Sequence, residues 1–131
     1  MATTHASRDQ LPAEQLDRYE GRMTQFGDYN VAFESMPAGF PPDPRAAFRG
    51  LPDDACQSEH WGYLFKGRLQ IEMIDGEDFV VEAGEAYYIP PGHRPQALED
   101  VELVEFSPLA AFQQTMEQVG RNVAGMAEAT A

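Results

Sequence analysis

Between Arg68 and Glu82 the chain alternates apolar and polar side chains on both sides of an Asp-Gly step, a pattern that admits little besides antiparallel sheet. Leu69, Ile71 and Met73 fall on one face and Arg68, Gln70 and Glu72 on the other, the period of two of a half-buried strand. Asp75-Gly76 follows, a dipeptide that closes tight hairpins because its residues tolerate positive φ. The return strand is read at Asp78 to Glu82. Upstream, from about Arg22, MTQF and GDYNVAFES alternate in the same way, with Tyr29, Val31 and Phe33 on one face and Asn30, Ala32 and Glu34 on the other. Gly84-Glu85 turns into AYYIPPG, and a last alternation runs through Val101, Leu103 and Phe106. The step from 103 to 106 slips phase and marks a bulge or a strand end.

Two segments break this rhythm. MPAGFPPDPRAAFRGLPDD is rich in proline and glycine, so it is read as a long connection with one short helical turn at Arg45 to Phe48. Phe40 and Phe48 within it are placed to cover a barrel mouth as a lid. Ser107-Pro108 has the form of a helix N-cap followed by proline in the first turn. Leu109, Phe112, Met116 and Val119 then recur at helical spacing, with Gly120 as a stop. The apolar stripe suits a helix packed on the outside of a barrel or across a dimer seam. Many short strands and a single helix describe an all-β chain, a sandwich or barrel of jelly-roll type. The expected division is a flexible segment over 1–21, a β-barrel over 22–107, a helix over 108–125 and a flexible tail over 126–131.

Composition narrows the partners. A chain of 131 residues suits one domain with one core. Twenty-two acidic against nine basic residues give a formal charge of -13, which repels phosphate backbones and anionic lipid, so no nucleic acid and no membrane are expected as partners. No run approaches the roughly 18 apolar residues that span a bilayer, and MATTHASRDQ lacks the apolar stretch of a secretory signal. The single cysteine forms no internal disulfide and suits a reducing compartment. A cytoplasmic location is expected.

That cysteine lies four residues before one of the three histidines, in ACQSEHWGYLFKG. If this stretch is extended, Asp54, Cys56, Ser58, His60 and Gly62 share a face, and Gln57, Glu59 and Trp61 share the opposite one. Trp61 is then on the outer face, where it suits a dimer contact. His93 follows Pro90, Pro91 and Gly92, a stiff turn well suited to aiming a ligand. His5 belongs to the N-terminal segment and is read as solvated. Tyr63, Tyr87 and Tyr88 are pocket candidates, although aromatic residues in strands are packing elements as a rule. Each of Cys56, His60 and His93 taken singly fits ordinary core filling as well, since free cysteine and hydrogen-bonded histidine are common inside domains.

GRLQIEMIDGEDFVVEAGEAYYIPPGH resembles the core of a cupin, a superfamily of small jelly-roll barrels that often hold one metal ion, and the likeness covers residues 54 to 106. Gly84, Pro90 and Gly92 match the second cupin motif, while Pro95 stands where its histidine belongs and His93 lies two residues earlier. Counting back from Gly67 in the first motif puts His60 in the glutamate position, Cys56 on the second histidine and Asp54 on the first. None of the usual four ligands is kept. A group of small cupins with a Cys, then His-x-Gly-Tyr, then Pro-Pro-Gly-His is similar in this arrangement. The resemblance implies a cupin-type jelly-roll β-barrel with a short C-terminal α-helix and a remodelled centre of Cys56, His60 and His93. Asp54 is a fourth ligand or an orienting group. One thiolate and two imidazoles suit a divalent transition metal, zinc first, then iron, nickel or copper, and three protein ligands leave a position open. The implied function is an oxygenase, isomerase or lyase acting on a small organic molecule, in a homodimer. Its alternatives are a non-catalytic small-ligand-binding or sensing cupin and a purely structural dimerisation domain.

Overall fold

The computed structural model describes residues 3–130; Met1, Ala2 and Ala131, at the ends read as flexible, lie outside the described residues. The strands are β1 (Ala13–Leu16), β2 (Tyr19–Phe26), β3 (Tyr29–Met36), β4 (His60–Lys66), β5 (Arg68–Met73), β6 (Phe79–Glu82), β7 (Ala86–Ile89), β8 (His93–Ala97) and β9 (Val101–Pro108). One helical turn, α1 (Pro44–Ala47), interrupts the long connection, and α2 (Leu109–Thr130) ends the chain. The strands pair antiparallel in a six-stranded sheet, β1-β2-β3-β9-β4-β7, and a three-stranded sheet, β6-β5-β8. Together they form a jelly-roll barrel.

The β5–β6 hairpin forms as its alternation requires, with Leu69 opposite Val81 and Ile71 opposite Phe79. Those inward residues meet Leu64, Ile89, Val101 and Leu103 from the larger sheet in the barrel core. Burying a side chain such as Leu64, fully removed from solvent, stabilises the fold by about 1.5–3 kcal/mol.

Several expectations need correction. The sheet begins at Ala13, so the segment read as flexible through residue 21 contains β1 and the start of β2. Tyr19 holds it there, stacked on Phe40 and hydrogen-bonded to Glu34. β9 pairs with β3 without interruption from Val101 to Pro108, so no bulge lies between 103 and 106. Phase is kept because Glu105, not Phe106, takes the inward position. The register irregularity in this region falls on β4, between Leu64 and Lys66. Ser107 and Pro108 finish β9 instead of capping the helix, and the Leu109 amide donates to the Asp28 carbonyl.

The helix is longer than expected. It spans 22 residues and runs through Gly120. A glycine inside a helix costs about 1 kcal/mol relative to alanine, a penalty offset here by burial of Val119 and Val123 on either side. Its apolar stripe does not lie against the outside of the barrel. Phe112, Met116, Val119 and Val123 instead close one end of it, beside Phe40 and Phe48. Phe40 and Phe48 are buried and line the cavity at that end.

Candidate metal centre

Cys56 lies outside the regular strands, in an isolated antiparallel bridge with His93. The Cys56 amide donates to the His93 carbonyl at 2.8 Å, and the Gly92 amide to the Cys56 carbonyl at 2.7 Å. Residues directly opposite in such a pair project to the same side, so the bridge brings thiol and imidazole together. His60 opens β4 opposite Ile89 and faces inward. The donor atoms of Cys56, His60 and His93 lie within 4.8 Å of one another. Cys56 Sγ is 3.5 Å from His60 Nε2, and the two imidazole rings meet edge to face at 5.1 Å between centroids.

Each ring is held by its other nitrogen. His93 Nδ1 is 2.8 Å from the Pro90 carbonyl; a carbonyl only accepts, so Nδ1 carries the proton and Nε2 presents a lone pair. Gly92, at φ 86°, supplies the left-handed backbone that this turn needs and that other residues resist. His60 Nδ1 is 2.6 Å from Ser107 Oγ and 3.6 Å from a Glu105 carboxylate oxygen, which leaves Nε2 facing the sulfur. The Cys56 thiol donates to the Ser58 carbonyl at 3.7 Å, and Thr115, on α2, is buried in the wall of the adjoining cavity.

Burial dominates the electrostatics. It pushes the Cys56 thiol up to about 12 and the His60 imidazole down to about 4. Burial, followed by the neighbouring His60, takes His93 down to about 3. All three groups are therefore neutral near pH 7, the form in which burial costs least. Nearby, burial raises the carboxyl groups of Glu34 and Glu105, Glu34 further through its proximity to Glu105.

This donor set fits a transition metal. Bond lengths of about 2.3 Å for Zn–S and 2.0–2.1 Å for Zn–N place sulfur and nitrogen ligands about 3.5 Å apart around a tetrahedral ion, the separation found between Cys56 and His60. The second nitrogen of each histidine is already engaged, as metal-ligating histidines require.

The remaining expected residues lie elsewhere. Asp54 closes a 3-10 turn with positive φ at Asp53 and Asp54, so the extended parity that places it beside Cys56 does not hold. Its carboxylate accepts from the Gly50 amide and lies near Arg45. Tyr63 and Tyr88 are exposed on the outer sheet face, where Tyr88 donates to Glu59. Tyr87 is inside but packs against the barrel core, its ring filling the space that a Cβ at Gly62 would need. Trp61 is exposed on the outer face between Tyr29 and Tyr88. His5 is exposed. Sequence reading misses Glu34, Glu105, Tyr19, Ser107 and Thr115. One signal is available: Glu105 keeps phase with Val101 and Leu103, the core face of β9.

Fold and site define a small β-barrel with a buried thiol–imidazole cluster beside a mainly apolar cavity. Residues 56–105 match the cupin domain family Cupin_2. No curated protein matches the chain in sequence. An RmlC-like cupin from Shewanella frigidimarina has a similar structure, with a TM-score of 0.58 and 15% identity over 82% of this chain and 92% of that one. KdgF from Halomonas sp. has a TM-score of 0.54 and 18% identity over 78% and 92%. The S161A mutant of Bacillus subtilis oxalate decarboxylase OxdC has a TM-score of 0.57 and 16% identity over 82% and 30%. These likenesses establish the fold. Among the described residues, no helix is long and apolar enough to cross a membrane.

Proposed function

We propose that this cupin holds a divalent transition metal, zinc first and iron, nickel or copper next, on Cys56, His60 and His93, and acts on a small organic molecule in the adjoining cavity. The observation that carries this reading is the convergence of the three donor atoms, with the Nδ1 atoms of both histidines already engaged. When bound, such a metal would supply Lewis acidity toward water or a carbonyl or, if redox-active, oxygen chemistry of the oxygenase type; isomerase and lyase reactions draw on the former. The chain's own residues do the rest. Pro90 and Ser107 orient the rings, and α2 with Phe40 and Phe48 excludes water from the site.

A non-catalytic binding or sensing role is the second reading, favoured by the depth at which α2 covers the cluster. The outer face of the larger sheet is assigned to a homodimer contact, supported by exposed Tyr29, Trp61, Tyr63, Phe65 and Tyr88 on adjoining strands. The single free, buried thiol suits a reducing, cytoplasmic setting.

Elemental analysis of tag-free protein tests the centre. Near-stoichiometric metal in the wild type, depleted in Cys56→Ser, His60→Ala and His93→Ala, is expected. Failure to take up any transition metal after reconstitution would return all three residues to core packing.

A further inference from the structure

Cys56 belongs to no regular strand, yet its thiol stands at a fixed place among the three donors. Just before it, Pro52–Asp54 form a 3-10 turn in which Asp53 and Asp54 hold positive φ of 57° and 50°. Non-glycine residues adopt that backbone at a cost, and it persists only where the surroundings fix it. Here side chains take up the carbonyls of the turn. Gln57 Nε2 donates to Pro52 at 2.9 Å and to Ala55 at 3.1 Å. Arg94 donates from Nε to the Asp54 carbonyl and from Nη2 to the Asp53 carbonyl, each at 2.7 Å. Its Nη1 donates to Glu72, directly opposite on β5, and the Arg94 side chain is only 10% exposed.

We propose that Arg94 is the positioning residue for the Cys56 thiol. The role rests on the metal centre proposed above and names what presets its sulfur. Arg94 follows His93 on β8, so one strand grips the Cys56 segment twice. The His93 main chain forms the bridge to Cys56, and the next side chain holds the two carbonyls of Asp53 and Asp54. His60 and His93 stand on strands whose ladders fix them, opposite Ile89 and Met73. The Cys56 main chain relies on the bridge and the turn. A guanidinium suits this task because its planar fork serves two carbonyls and a carboxylate at once, whereas a lysine ammonium is a point charge. With both carbonyls released, the left-handed pair relaxes toward ordinary backbone. Cys56 Sγ then leaves its 3.5 Å separation from His60 Nε2, while the two imidazoles stay in place.

Labelling of metal-free, full-length protein with 4,4′-dithiodipyridine measures how often the thiol is exposed. Arg94→Ala is expected to raise the labelling rate about tenfold, the effect of losing one charge-assisted hydrogen bond, and to speed hydrogen exchange of the Cys56 amide by a similar factor. The added labelling should depend weakly on urea, because opening one turn exposes little surface. A steep urea dependence would mean that Arg94 serves global stability alone, and would overturn the proposal. Arg94→Lys keeps the charge beside Glu72 without the fork and should label at an intermediate rate. It decides the matter if Arg94→Ala does not fold: labelling at the wild-type rate overturns the role. Arg68→Ala removes a cation from the neighbouring β5, where its partner is Glu82, and should label as the wild type does; labelling as fast as Arg94→Ala would make the effect one of charge alone and overturn the role too. Cobalt(II) is the second probe. The wild type should show thiolate-to-cobalt charge-transfer absorption, and Arg94→Ala should lose it at a cobalt concentration that saturates the wild type. A wild type that takes no cobalt, together with faster labelling in Arg94→Ala, refutes the metal centre and leaves Arg94 holding the thiol. Unchanged labelling in a protein that binds cobalt refutes the positioning role alone.

Discussion

Lowering the pH from 7.0 to 6.0 is expected to weaken zinc binding about tenfold, the signature of one proton released for each metal bound. The count follows from burial. Without metal the Cys56 thiol, at about 12, is protonated throughout this range, whereas His60 at about 4 and His93 at about 3 are already neutral. A thiolate ligand therefore displaces one proton and the imidazoles none. One proton changes the affinity by a factor of ten per pH unit, or about 1.4 kcal/mol. The range stays below about pH 7, where zinc-bound water begins to ionise. Competition with a chromogenic chelator at three pH values, corrected for the chelator's own protonation, gives the slope. Calorimetry in two buffers of different ionisation enthalpy gives the proton count directly. Cys56→Ser should flatten the dependence. A flat wild-type response would remove Cys56 from the ligand set. A slope of two or three would mean that the imidazoles carry protons at neutral pH, and the argument from burial would fail.

Leu64 is fully buried in the barrel core, so Leu64→Ala should cost about 2–5 kcal/mol in denaturant unfolding; a loss under about 1 kcal/mol would place the core elsewhere. Folded His93 stays neutral down to about 3 against an ordinary 6.5, so its contribution is intact above pH 6.5 and is lost as the pH falls toward 3. Metal-free His93→Gln lacks that loss, and its melting temperature relative to the wild type should climb from pH 7 to pH 5. A constant difference would contradict the burial of His93. Trp61, 38% exposed between Tyr29 and Tyr88, should anchor the homodimer, and Trp61→Asp should give a monomer by light scattering. A wild type that is itself monomeric at micromolar concentration would dismiss that face as a dimer contact.

Local chemistry makes much of this protein legible in its residue order. The period of two in Leu69, Ile71 and Met73, with the Asp-Gly step after it, specifies a hairpin because side-chain alternation and turn geometry are properties of a few adjacent residues. The stiff Pro-Pro-Gly turn marks His93, and rarity and spacing mark Cys56 and His60. Where a feature depends on pairing between distant segments, sequence carries less. Extended backbone would set Asp54 beside Cys56, and a left-handed turn at Asp53 and Asp54 breaks that parity. Phe106 looks like the next core residue of β9, yet alignment with β3 turns it outward and buries Glu105.

The sequence by itself determined an all-β barrel, its hairpins and a terminal helix, and singled out Cys56, His60 and His93 as candidates, all through short-range periodicity, turn preference and motif resemblance. Tertiary structure alone decided that Cys56 bridges His93, that α2 closes the barrel end instead of lying along its outside, and that Tyr19, Glu34 and Glu105 share one cavity. These are contacts between segments dozens of residues apart, and their geometry is fixed by strand register and by the burial of whole faces, which no local window of sequence contains.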